Sequence, residues 1–236
     1  MVNRVARAGA IFLASCATAV LVGCGGSSSS AREVSAPGPD RPAAARELIA
    51  QAHARRPAVH IPTGYDVRRV PGAGFSLAFP RQWTTLAQPD VVFPGVIRTL
   101  ARAHRSLTPS LLGLAGPESP LKLLAFHGRA GESFATTASV FVGPAPPGAT
   151  FERQGRAIVR AIRTLGVEGK VEVRRRTLPA GEALRLEYRR KGTVAVQYVT
   201  VRGEQLYALV YVTRPELKPR YAPQFEASAR TLSFVG

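Results

Sequence analysis

Apolar residues change period along this chain. An apolar stretch runs from Ala8 to Val22, and a Gly-, Ser-, Ala- and Pro-rich segment without apolar patterning follows it. Regular patterning begins at "GAGFSLAFPRQW", where Phe75, Leu77 and Phe79 alternate with Ser76 and Ala78. That is the period of a half-buried strand, which Pro80 ends just before Trp83. "FPGVIRTLARAHRSL" places Val96, Ile97, Leu100, Ala103 and Leu107 at helical spacing, and "LKLLAFHG" and "SFATTASVFVG" read as two more strands. A second amphipathic helix opens near Thr150, a residue able to cap it, with Glu152 in its first turn and an apolar stripe of Phe151, Ile158, Ile162 and Leu165. Then come "KVEVRRRTL", "EALRLEYRR", "TVAVQYVTV" and "QLYALVYVT", joined by short loops containing Pro-Ala-Gly, Lys-Gly and Arg-Gly. Strands joined by such tight turns are antiparallel. "PQFEASARTLSF" closes the chain as a helix using Phe225, Ala229 and Leu232. The pattern predicts an α+β fold, a central antiparallel β-sheet with helices, not alternating βαβ units.

The first apolar stretch has a different meaning. Arg4 and Arg7 precede it without an acidic residue, and it is shorter than the roughly 18 residues a membrane span needs, which is the layout of a secretory signal. Leu21-Val22-Gly23-Cys24 resembles the bacterial lipobox, in which the cysteine sulfur becomes a thioether to diacylglycerol and the chain is cut just ahead of it. The expected organisation is therefore a signal peptide over 1–23, a lipidated flexible tether over 24–69 and one folded domain over 70–236. The domain would be held at the extracytoplasmic face of the plasma membrane by lipid on Cys24. Cys16 would leave with the signal, so no free thiol or disulfide is expected. Within the tether, "DRPAAARELIAQAHARR" has helix-start chemistry at Asp40 and Pro42, but its apolar face is mostly alanine and it reads as a spacer. Random-coil scaling gives the tether an end separation of about 35 to 40 Å.

Charge narrows the class of partner. Lys+Arg 32 against Asp+Glu 15 gives a formal net charge of +17, and only Lys122, Lys170, Lys191 and Lys218 among the cations are not arginine. Such a field suits anionic partners; a GC-rich genome would also write arginine on any solvated surface. Arg153, Arg156, Arg160 and Arg163 recur at spacings of three and four on one side of the second helix. They form either a docking face for phosphate or an acidic partner, or the solvated side of a packed helix. In the hairpin "VEVRRRTLPAGEALRLEYRR", a two-residue turn at Ala180-Gly181 would set Arg174 opposite Glu187, Glu172 opposite Arg189, Arg175 opposite Leu186 and Arg176 opposite Arg185. Arg175 on an apolar face and the Arg176–Arg185 pair do not fit a simple solvated surface. They imply a bulge, or a polar pocket in which Arg175 has a specific task, so Arg175, Arg176 and Arg185 join the candidate ligand surface.

"GFSLAFPRQW", the strand-helix segment after it, "LPAGEALRLEY" and "YAPQFEASARTLSF" resemble the PsbP-like proteins, a superfamily that also includes Mog-type Ran-binding proteins and actinobacterial lipoproteins. The resemblance covers about residues 70–236. It implies a sheet with helices on both faces, and a binding or assembly factor without a cofactor or catalytic motif.

Catalytic constellations are not visible in the residues themselves. His53, His60, His104 and His127 form no HExxH, there is no CxxC, and "GAGFSL" lacks the third glycine and the position of a dinucleotide fingerprint. Ser119-Pro120-Leu121-Lys122 matches SxxK, but it runs into a strand, where residues three apart point to opposite faces. No metal, cofactor or nucleic acid is expected, and the protein is expected to be a monomer. The sequence points to a lipid-anchored module that engages an envelope protein or an anionic glycan or lipid. The alternative is a hydrolase-like envelope enzyme of unrecognised mechanism.

Overall fold

Seven antiparallel strands form the main sheet, in the order β3-β4-β5-β9-β8-β7-β6. They are β3 (Thr84–Ala87), β4 (Leu121–His127), β5 (Thr136–Pro144), β6 (Glu168–Leu178), β7 (Gly181–Arg190), β8 (Thr193–Arg202) and β9 (Gln205–Thr213). A smaller sheet has the order β1-β2-β10, from β1 (Tyr65–Val70), β2 (Phe75–Pro80) and β10 (Ser233–Phe234). The helices are α1 (Pro94–Ala103), α2 (Thr108–Ala115), α3 (Phe151–Thr164) and α4 (Lys218–Ala229). This computed structural model describes residues 59–88, 94–115, 119–129, 132–145 and 151–235. The expected signal peptide, Cys24, most of the expected tether and the expected Thr150 cap lie outside the described residues.

The α+β expectation holds, with helices on both faces of the sheet. Cross-strand pairing carries Leu124, Ser139, Val210, Gln197, Leu186 and Val173 across one face in a single row. On that face Leu100, Leu107 and Leu111 pack with Leu121, Leu124 and Phe126 under α1 and α2. Phe151, Ile158 and Ile162 of α3 pack there with Val171, Leu184, Leu186 and Tyr188. The amphipathic period in each segment thus buries one stripe and leaves the other outward. The opposite face carries Leu123, Val140, Leu209 and Tyr198, covered by Phe225 and Ala229 of α4 and by Phe75, Leu77 and Phe79 of β2. Phe79, Trp83, Tyr221, Phe225 and Tyr211 form a run of ring contacts through this core. The small sheet is sewn to the end of α4 by the Ser228 hydroxyl, which donates to Ala78 O at 2.7 Å, and by Thr231 Oγ1, which accepts from Ala78 N at 2.8 Å.

Three expectations need correction. Ordered structure begins before Val70, because Tyr65–Val70 pairs along the whole of β2. The closing helix starts at Lys218, ahead of the expected proline, and Leu232 lies beyond it although buried. In the β6–β7 hairpin the turn residues are Pro179 and Ala180, with Leu178 paired to Gly181. Pro179 has the fixed φ that suits the first central turn position. Gly181 follows the turn at φ 118, where a side chain would be strained. Every partner is displaced by two residues, so each side chain keeps its predicted face but meets a different neighbour. Arg174 faces Arg185, Arg175 faces Leu184, Arg176 faces Ala183 and Glu172 faces Glu187. A bulge is present, but it lies between Glu168 and Glu172, ahead of the arginine run.

Candidate functional site

α3 sits close to the sheet because Gln154 and Gly155 are buried on its inner side. A Cβ on Gly155 would come within 2.6 Å of Leu184 Cδ1, so glycine permits this close approach. The helix is fixed at both ends by arginines from the sheet. At its start Arg175 forms an ion pair with Glu152 and lies 5.5 Å from the Phe151 ring centroid. At its end the Arg190 guanidinium donates from Nε to Leu165 O at 2.7 Å, meeting a carbonyl near the negative end of the helix dipole. The inner side being buried, Arg153, Arg156, Arg160 and Arg163 are all exposed on the outer side.

The structure extends this basic surface to residues the sequence reading passed over. Arg98, Arg102 and Arg105, on α1 and the short turn after it, are exposed, and α1 packs on the same face of the sheet as α3. Their spacing of four and three in "RTLARAHR" is the same signal that marked α3, and it was legible in the sequence. In 94–115 and 151–164 together, Glu152 is the only acidic residue, and it is paired with Arg175.

The hairpin arginines separate into different roles. Arg176 is exposed on edge strand β6, and Arg174 pairs with Glu172 of its own strand at 3.2 Å. Arg175 lines no polar pocket; its side chain is 59% exposed and serves the start of α3. Arg185 is not a surface residue. It is buried between β7 and α4, donating to Glu187 Oε2 at 3.0 Å and Glu226 Oε1 at 2.9 Å, while Lys218 also pairs with Glu187. Burial pushes the Glu187 carboxyl up, but hydrogen bonds from Lys218 and Arg185 outweigh it and hold the group below its ordinary value of 4.5. Beside them the Tyr198 hydroxyl is pushed well above its ordinary range, chiefly by burial. Arg185 therefore leaves the candidate surface and joins the core.

A second cluster joins the end of β4 to α4. His127 Nδ1 and the Tyr221 hydroxyl are hydrogen-bonded at 2.6 Å, and Trp83 lies beside the His127 ring, its Nε1 donating to Gln224 Oε1 at 3.0 Å. Burial, then the positive charge of Arg220, lowers the His127 pKa, and Glu132 opposes them. The pair bridges two packed elements, β4 and α4. Ser119 and Lys122 of the SxxK match are engaged separately: Ser119 Oγ accepts from Leu121 N, and Lys122 Nζ donates to Gln88 Oε1 at 3.1 Å. Among the described residues, no group of three or more His, Cys, Asp and Glu side chains is placed to hold a metal ion.

No protein-family model matches this chain, and no curated protein matches it. It is similar in structure to cyanobacterial PsbP (CyanoP) from Synechocystis sp. PCC 6803, with a TM-score of 0.49 and 12% identity over 75% of this chain and 96% of that one. It is also similar to a Bacteroides thetaiotaomicron protein, with a TM-score of 0.40 and 12% identity over 74% of this chain and 50% of that one. A Pseudomonas aeruginosa protein of unknown function gives a TM-score of 0.40 and 14% identity over 72% and 96% of the two chains. No residue role is carried across from any of the three.

Proposed function

We propose that this protein is a lipid-anchored extracytoplasmic binding or assembly module that engages an anionic component or a protein of the cell envelope, without catalysis. The observation that carries the reading is the exposed arginine surface of α1 and α3. Four candidate arginines predicted on one side of α3 are exposed there, on a helix held at both ends by ion pairing and capping. A surface of one charge sign, with its only acid already paired, attracts anions and repels a second copy of itself. Arg185 and Lys218, by contrast, meet Glu187 and Glu226 in the network between β7 and α4.

The anchor belongs to the same reading. Cys24, in the Leu21-Val22-Gly23-Cys24 pattern, would confine the domain to within the reach of its tether from the membrane. Confinement raises the effective concentration of a weakly binding basic face beside its target. The test is Cys24→Ala with mass spectrometry of the mature N-terminus. The reading expects a diacylated Cys24 in the parent, and in the variant release from the membrane fraction or an uncleaved precursor. An unmodified cysteine, or cleavage elsewhere, would remove the anchor.

A further inference from the structure

The helices on the two faces of the main sheet carry different charge. The helix on one face, α4, mixes Lys218 and Arg220 with Glu226, and two of these three take part in the buried ion network. The helical layer on the other face presents Arg98, Arg102, Arg105, Arg153, Arg156, Arg160 and Arg163, all exposed. We propose that this layer docks flat on anionic phospholipid headgroups, with these arginines binding lipid phosphate. The proposal rests on the reading above and names the face and the anionic component.

Two observations favour a lipid surface over an acidic protein. A protein interface is organised around buried aromatic anchors with alternating charge at its rim. Here the cations span two helical segments without an interleaved free acid, and none of the large hydrophobic residues exposed among the described residues is aromatic. The one such residue in this layer, Leu112 of α2, is 61% exposed and is suited to enter the headgroup boundary. A membrane reads the number of cations near its plane, not their pattern, and guanidinium binds phosphate with two parallel donors. The diacylglycerol anchor expected on Cys24 carries two acyl chains and would hold the chain at the bilayer by itself, so the basic layer would serve to orient the domain on the surface.

Arginine footprinting tests this on the full chain, reconstituted into phosphatidylcholine vesicles with or without phosphatidylglycerol. Phenylglyoxal modification is mapped by mass spectrometry. The expected result is protection of the seven helical arginines only when phosphatidylglycerol is present. Arg174 and Arg176, which lie on the other face of edge strand β6, should stay reactive in both vesicles. Raising salt to about 1 M, where screening acts within about 3 Å, should restore reactivity. Each arginine contributes about a fivefold factor near such a surface, so Arg156→Gln with Arg160→Gln should weaken docking about 30-fold. Equal reactivity in the two vesicles, or protection indifferent to salt, overturns the proposal. Protection in intact envelopes but not in anionic vesicles also overturns it, while leaving the binding-module reading with an acidic protein or glycan as partner. Reactivity unchanged in both settings removes both.

Discussion

Glu187→Gln removes the charge at the centre of the network beneath α4 while keeping the side-chain shape. In the parent the carboxylate accepts from Arg185 Nη2 at 3.0 Å and pairs with Lys218. A hydrogen bond to a charged group contributes about 1.5 to 3 kcal/mol when well enclosed. The Lys218 side chain is 34% exposed and that of Glu187 19%, so solvent discounts part of this, and Glu226 still compensates Arg185 in the variant. The net expected loss is about 2 kcal/mol at neutral pH, a large share of the roughly 5 to 15 kcal/mol of a whole domain. The loss depends on pH in a fixed direction. The folded-state pKa of Glu187 is held below its ordinary 4.5, so its contribution is present above that value and is lost as pH falls through the folded pKa. Urea unfolding of parent and variant at neutral pH and in acid measures the gap, which should be open at neutral pH and close below about 4.5. A variant as stable as the parent would refute the reasoning, because desolvation would then cancel the ion pairs. A gap unchanged in acid would assign the loss to packing instead.

Trp83 is buried in the core and is the only tryptophan, so native fluorescence should be blue-shifted and should move to the red on unfolding. Trp83→Ala should cost about 3 to 5 kcal/mol, and solvent-like native emission would contradict its placement. Gly155→Ala sets a gain of about 1 kcal/mol in helix propensity against about 1 to 3 kcal/mol of overpacking on Leu184. Thermal unfolding should therefore show a variant no more stable than the parent, and clear stabilisation would mean that α3 sits farther from the sheet.

Legibility followed the physics of each element. β6 to β9 announced themselves because alternation and turn residues are local, and the apolar stripes of α1 and α3 because one side of each is buried. β1, "YDVRRV", escaped notice because it has a paired neighbour on one side only and half of its residues are exposed, so no alternation marks it. α2, "TPSLLGLA", is too uniformly apolar to show a helical period, and β10 has two residues. The hairpin register turned on whether Pro179 or Gly181 held the turn, a choice of local φ that strand pattern does not encode. Arg185 and Arg176 look alike in the sequence; only the approach of α4, carrying Glu226, buries one and leaves the other outside.

The central claim is that the helical arginine layer is the surface this domain presents to its envelope target. A photo-crosslinking amino acid placed in intact cells at Arg102, Arg156 or Arg174 tests it most directly, since all three positions are exposed and only the first two lie in that layer. The account predicts adducts with envelope material from positions 102 and 156 and none from 174. Adducts from 174 alone, equal yields from all three, or none from any, would contradict it.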